Sequence, residues 1–116
     1  YIPPFPDDHR WILELIREAV QNSHAREVHA HVVPFDGSVS PPGFAAVVLI
    51  DESHVTAHCY SDRGLLAIDA FTCGKTEPET VIDYLLQSLL KEIPTLQVVN
   101  RNCIARFLHD SNIESS

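Results

Sequence analysis

Two apolar runs separated by only four polar residues constrain this chain more than any other feature. Residues 44–50 (Phe-Ala-Ala-Val-Val-Leu-Ile) are its longest apolar stretch. Asp51, Glu52, Ser53 and His54 interrupt it, and residues 55–60 resume a strand-like composition. Short, partly β-branched runs bounded by polar residues read as strands rather than helices. So short a link demands antiparallel pairing, and the tetrad 51–54 reads as the hairpin connection. Two further strands flank this pair. In residues 28–33, Val28, Ala30 and Val32 alternate with His29, His31 and Val33. Residues 65–71 follow the turn Ser61-Asp62-Arg63-Gly64.

The helical signals lie outside this block. Residues 1–6 hold three prolines and read as an extended lead-in. Asp7 or Asp8 is a suitable cap for a helix in which Trp11, Ile12, Leu15, Ile16, Ala19 and Val20 recur on one face. A second amphipathic helix carries Val81, Ile82, Leu85, Leu86, Leu89 and Leu90. Thr76 and Glu79 form a capping-box pattern, Pro78 suits a first turn, and Pro94 stops the helix. Residues 96–99 read as a last strand. Hairpin-linked strands with two one-sided helices predict an α+β fold, a two-layer sandwich with both helices on one face of a mainly antiparallel sheet. The 116 residues read as a single domain.

Composition narrows the function classes. The net charge of -8, with no run among the 8 basic residues, argues against a nucleic-acid partner. The longest apolar stretch is far too short to span a bilayer, so no membrane partner is expected. Three cysteines, Cys59, Cys73 and Cys103, form no CxxC pair. An odd count fits a reducing compartment, here the cytoplasm, better than a disulfide framework.

Residues 51–74 hold the side chains that can carry chemistry. Period-two alternation sets His54, Thr56 and His58 on one strand face, with Ser53 in the turn and Cys73 at the end of a neighbouring strand. A hydroxyl, an imidazole and a thiol converging at one sheet end would make a nucleophile and acid-base set. Each residue also has an ordinary structural explanation: a turn serine, a hydrogen-bonded strand histidine, a small buried thiol. His29-x-His31 with His54, His58 and Cys73 offers zinc-type donors, but nothing in the spacing brings the pairs together, and no metal is expected.

The strings around these residues narrow the choice. Residues 46–58 (AVVLIDESHVTAH) resemble the processing segment of the small bacterial and archaeal S-adenosylmethionine decarboxylases. Residues 66–74 (LAIDAFTCG) resemble the segment that follows it in the same family, at the same spacing. The resemblance implies a proenzyme that cuts itself between Glu52 and Ser53, yielding residues 1–52 and 53–116. Ser53 becomes a pyruvoyl group, the covalent cofactor that forms a Schiff base with the substrate amine. His58 matches the histidine that moves protons in processing, and Cys73 the proton donor in decarboxylation. The implied product is the aminopropyl donor for spermidine. The implied assembly is a dimer of two-chain protomers.

The chain departs from the family pattern at several points. Ala45 stands where a family serine assists processing, and Asp62 where a glutamate grips the ribose hydroxyls. Phe35 is the candidate for the ring that stacks on adenine. These departures open two alternatives: a pyruvoyl-dependent decarboxylase of a small basic amino acid (arginine or ornithine), and an uncut homologue that binds a ligand or partner chain. His29, His31 and Cys103 default to packing roles.

Overall fold

The structure, a computed structural model, describes residues 1–72 and 76–105. Its order is α1 (Asp8–Asn22), β1 (Glu27–Phe35), β2 (Gly43–Ile50), β3 (Ser53–Tyr60), a single 3-10 turn (Ser61–Arg63), β4 (Leu65–Phe71) and α2 (Pro78–Glu92). The four strands form an antiparallel meander in chain order, β1-β2-β3-β4. Both helices pack on one side of it, as the α+β two-layer reading expects.

Alternation explains the core. Phe44, Ala46, Val48 and Ile50 of β2 and Val55, Ala57 and Cys59 of β3 point to the helices and are buried. They meet Ile12, Leu15, Ile16, Ala19 and Val20 of α1 and Val81, Leu85 and Leu89 of α2. These are the residues the 3.6-residue and two-residue periods set on single faces. The end of α1 turns on His24, whose φ of 64° is left-handed. Ala25 N–H donates to the Val20 carbonyl and His24 N–H to that of Gln21, a Schellman closure.

Three local expectations change. The hairpin link is Asp51–Glu52 alone, because Ser53 already pairs with Ile50. Asp51 takes a φ of 53°, a left-handed conformation that aspartate tolerates better than most residues and that closes so short a loop. α2 starts at Pro78 with Glu77 as its cap residue, so the Thr76–Glu79 capping box does not form. Thr76 instead offers its carbonyl to the Thr72 hydroxyl at 2.7 Å. Residues 96–99 are not a strand: Leu96 packs on the core, while Val98 and Val99 are exposed. Apolar composition alone does not make a strand: none of the four described strands pairs with these residues.

Gly43 starts β2 with a φ of 149°, and a Cβ there would overlap the Cys59 carbonyl oxygen. Gly43→Ala is therefore expected to destabilise the fold by about 2 kcal/mol or more in urea denaturation. Val39→Ala, at a 97% exposed loop position, should change stability by less than about 0.5 kcal/mol.

Candidate active site

The strand registers place the side chains of the helix-free sheet face in four rows. His29, Leu49, His54 and Phe71 form the first; His31, Val47, Thr56 and Asp69 the second. Val33, Ala45, His58 and Ala67 form the third, and Phe35, Gly43, Tyr60 and Leu65 the fourth. No described residue covers this face completely: Val33, Phe35, Leu49, Tyr60 and Leu65 are all exposed.

The first row lies beside the Asp51–Glu52 turn. Ser53 precedes His54 by one residue, so alternation sends its side chain to the opposite, helix-packed face, where it is buried. Arg26 reaches the turn from the α1–β1 connection, with its guanidinium 2.8 Å from the Asp51 carboxylate. Both partners are well exposed, so the pair contributes about 0–1 kcal/mol. His54 Nε2 lies 3.0 Å from Asp69 Oδ2. Its ring also tilts against that of Phe71, with centroids 5.7 Å apart.

The expected convergence of side chains is only partly seen. His54, Thr56 and His58 share a face, as alternation requires. Ser53 and His58 do not meet: they lie on opposite faces, roughly 16 Å apart along the strand. His58 is exposed, directly between Ala45 and Ala67. Cys73 lies outside the described residues. The strand leading to it ends with Phe71 opposite His54, at the Ser53 end of the sheet. Glu52 is exposed in the turn.

Phe35 and Asp62 fall at the other end. Phe35 closes β1, and Asp62 sits in the 3-10 turn after β3. Phe35 also borders a shallow open groove of about 600 Å³, shared with Pro3, Phe5, His9, Gly43 and Ser61. His29 and His31 stack with ring centroids 6.3 Å apart. Among the described residues, no three His, Cys, Asp or Glu side chains gather as metal donors. Among the same residues, no helix is long and apolar enough to cross a membrane. Sequence reading singled out His54 but missed Asp69 as its partner. Alternation sets Asp69 on the same face of β4 as Phe71, but which residue of that face lies beside His54 is decided by the pairing of β3 with β4.

Behind the sheet, Tyr1 donates its hydroxyl proton to Asp8 at 2.8 Å. Burial, then this carboxylate, push the Tyr1 phenol far above its usual range. Burial also pushes the Cys59 thiol up to about 11, with the charge of Asp8 adding to it.

The architecture defines a class: a two-layer α+β chain whose central hairpin delivers a hydroxyl residue immediately after a strained two-residue turn. The family profile described as S-adenosylmethionine decarboxylase matches residues 4–102. This chain belongs to that family. It is 46% identical over 54 residues to the S-adenosylmethionine decarboxylase proenzyme of Brevibacillus brevis, covering 46% of this chain and 41% of the relative. It is 30% identical over 91 residues to the proenzyme of Pyrococcus abyssi, covering 78% and 63%. It is 28% identical over 104 residues to that of Thermodesulfovibrio yellowstonii, covering 89% and 74%. The aligned segments thus span from about two fifths to three quarters of these relatives.

The raised thiol and phenol give a pH signature. Both groups are held protonated by the fold, whereas the unfolded chain releases their protons at ordinary values. Stability is therefore full below the unfolded values and falls as pH climbs through about 9 towards 11. Thermal melts across this window should show the loss, and Cys59→Ala should flatten part of the slope.

Proposed function

We propose that the chain is a self-processing S-adenosylmethionine decarboxylase, cut between Glu52 and Ser53, with a pyruvoyl group formed from Ser53. The observation that carries this reading is Ser53 itself. It is a hydroxyl residue at the first position of a strand, next to a turn whose Asp51 has a positive φ. Backbone strain of this kind costs of order 1–3 kcal/mol and is released when the chain is cut.

In the proposed processing, the Ser53 hydroxyl attacks the Glu52 carbonyl carbon and the amide becomes an ester. Loss of the Ser53 α-proton expels the Glu52 carboxylate and leaves a dehydroalanine. Water then replaces its nitrogen, which departs as ammonia. The residues present suit such a group, since the hydroxyl, the scissile bond and the strained turn are contiguous. A pyruvoyl carbonyl at position 53 supplies an electron sink for the pair released when CO2 leaves an α-amino acid. His58 is the proposed proton acceptor in processing and Cys73 the proposed proton donor in turnover. Phe35 and Asp62 are proposed to bind the adenine and the ribose hydroxyls.

The proposal includes a second copy, for a geometric reason. One chain keeps Ser53 at one sheet end and His58, Phe35 and Asp62 towards the other. Two helix-free faces packed head to tail would set the Phe35–Asp62 end of one copy over the His54 side of the other's 51–54 hairpin, the side towards which the freed Ser53 end would have to turn after the cut. Such a dimer would also cover the exposed apolar side chains of rows three and four.

Intact mass under denaturing conditions tests the central claim. Two fragments, 1–52 and 53–116, are expected, the second beginning with a ketone, and Ser53→Ala should abolish the cut. CO2 release should be faster from S-adenosylmethionine than from arginine or ornithine. A permanently intact chain would overturn the reading, and a faster rate with either amino acid would reject the nucleoside substrate.

Ala45 offers a second test, because it lies directly opposite His58 in the register. Ala45→Ser adds a hydroxyl beside that imidazole. It should speed processing by about tenfold or more, measured as the appearance of the 53–116 fragment with time.

A further inference from the structure

We infer that the His54–Asp69 pair is a positioning clamp, which holds the new end of β3 against β4 once the chain is cut before Ser53. The inference rests on that cut and adds to it a question the fold itself raises. Before cleavage, the Asp51–Glu52 turn ties the start of β3 covalently to β2. Afterwards that tie is gone, and a residue at a strand end frays unless something else holds it.

The ladders show where the weakness lies. Among the described residues, Ser53 pairs only with Ile50 of β2, the strand from which it would be severed. The β3–β4 register begins one residue later, with His54 opposite Phe71. His54 is thus the first residue of β3 held from the β4 side, and two side-chain contacts reinforce that hold. Asp69 lies diagonally across, with its carboxylate 3.0 Å from His54 Nε2, and the Phe71 ring packs against the imidazole. Diagonal pairs on one face are within reach of such side chains and add to strand pairing. Both contacts run from β3 to β4, within the 53–116 fragment. Cutting the 52–53 bond leaves them intact.

A clamp of this kind has a specific signature: it matters more after the cut than before it. In the intact hairpin the turn already holds His54 in register, so loss of the pair has little to disturb. In the cut chain the pair is the first side-chain link behind the reactive terminus. The pair is partly exposed, so the expected effects are modest.

The test compares Asp69→Asn in two backgrounds, the processed protein and the uncut Ser53→Ala chain, by hydrogen exchange of the residue 54–56 amides. Exchange should rise about three- to fivefold in the processed protein and by less than about 1.5-fold in the uncut chain. Asp69→Glu should restore slow exchange. His54→Phe, which keeps a ring opposite Phe71 but cannot pair with Asp69, should repeat the Asp69→Asn result and serves if that variant folds poorly. In the processed form, kcat should fall about threefold with KM little changed. Equal acceleration in both backgrounds, or none in the processed protein, overturns the clamp. An uncut wild-type chain, seen by intact mass, overturns the cleavage reading beneath it, so the two failures are told apart.

Discussion

The two-residue closure between β2 and β3 governs the rest of the structure. Asp51 accepts a left-handed conformation, and Ser53 therefore falls opposite Ile50. A shift of one residue would send Val55, Ala57 and Cys59 to the uncovered face and His54, Thr56 and His58 into the helix-packed core. Burying three polar side chains without partners would cost far more than the turn's own strain. The core thus enforces the turn, and the turn fixes which atoms meet at the proposed cut.

That arrangement gives the sheet two different faces. One is packed on α1 and α2 by side chains that are apolar apart from Ser53, the Cys59 thiol and, at its edge, Glu27, which pairs with Arg17 of α1. The other mixes apolar side chains with four histidines and one carboxylate, Asp69, and the described helices leave it uncovered. A globular chain of this size rarely leaves such a face uncovered without a use for it. The proposed dimer is one use, and it accounts for the distance between Ser53 and the Phe35–Asp62 end.

Much of the candidate site was legible in the linear string. The Glu-Ser-His triplet with His58, and the later Phe-Thr-Cys-Gly string, carried the resemblance that the match over residues 4–102 now supports at the level of family. The face shared by His54, Thr56 and His58 followed from alternation alone. The supposed meeting of Ser53 with His58 did not follow. An odd separation of five residues along a strand sends the two side chains to opposite faces. The partner of His54 was invisible for another reason: which residue of β4 lies beside it depends on pairing register, and that is a property of two strands together.

Local chemistry in the sequence was enough to determine the element types, the face of each helix and strand, and the identity of the hydroxyl before the proposed cut. Those features depend on neighbours within a few positions, where period and propensity act. Tertiary structure alone decided the rest. It shortened the hairpin link to Asp51–Glu52, left residues 96–99 outside the four-stranded sheet, and brought Asp69 to His54. Each of these depends on which groups compete for the same space once distant segments pack, and no run of residues encodes that competition by itself.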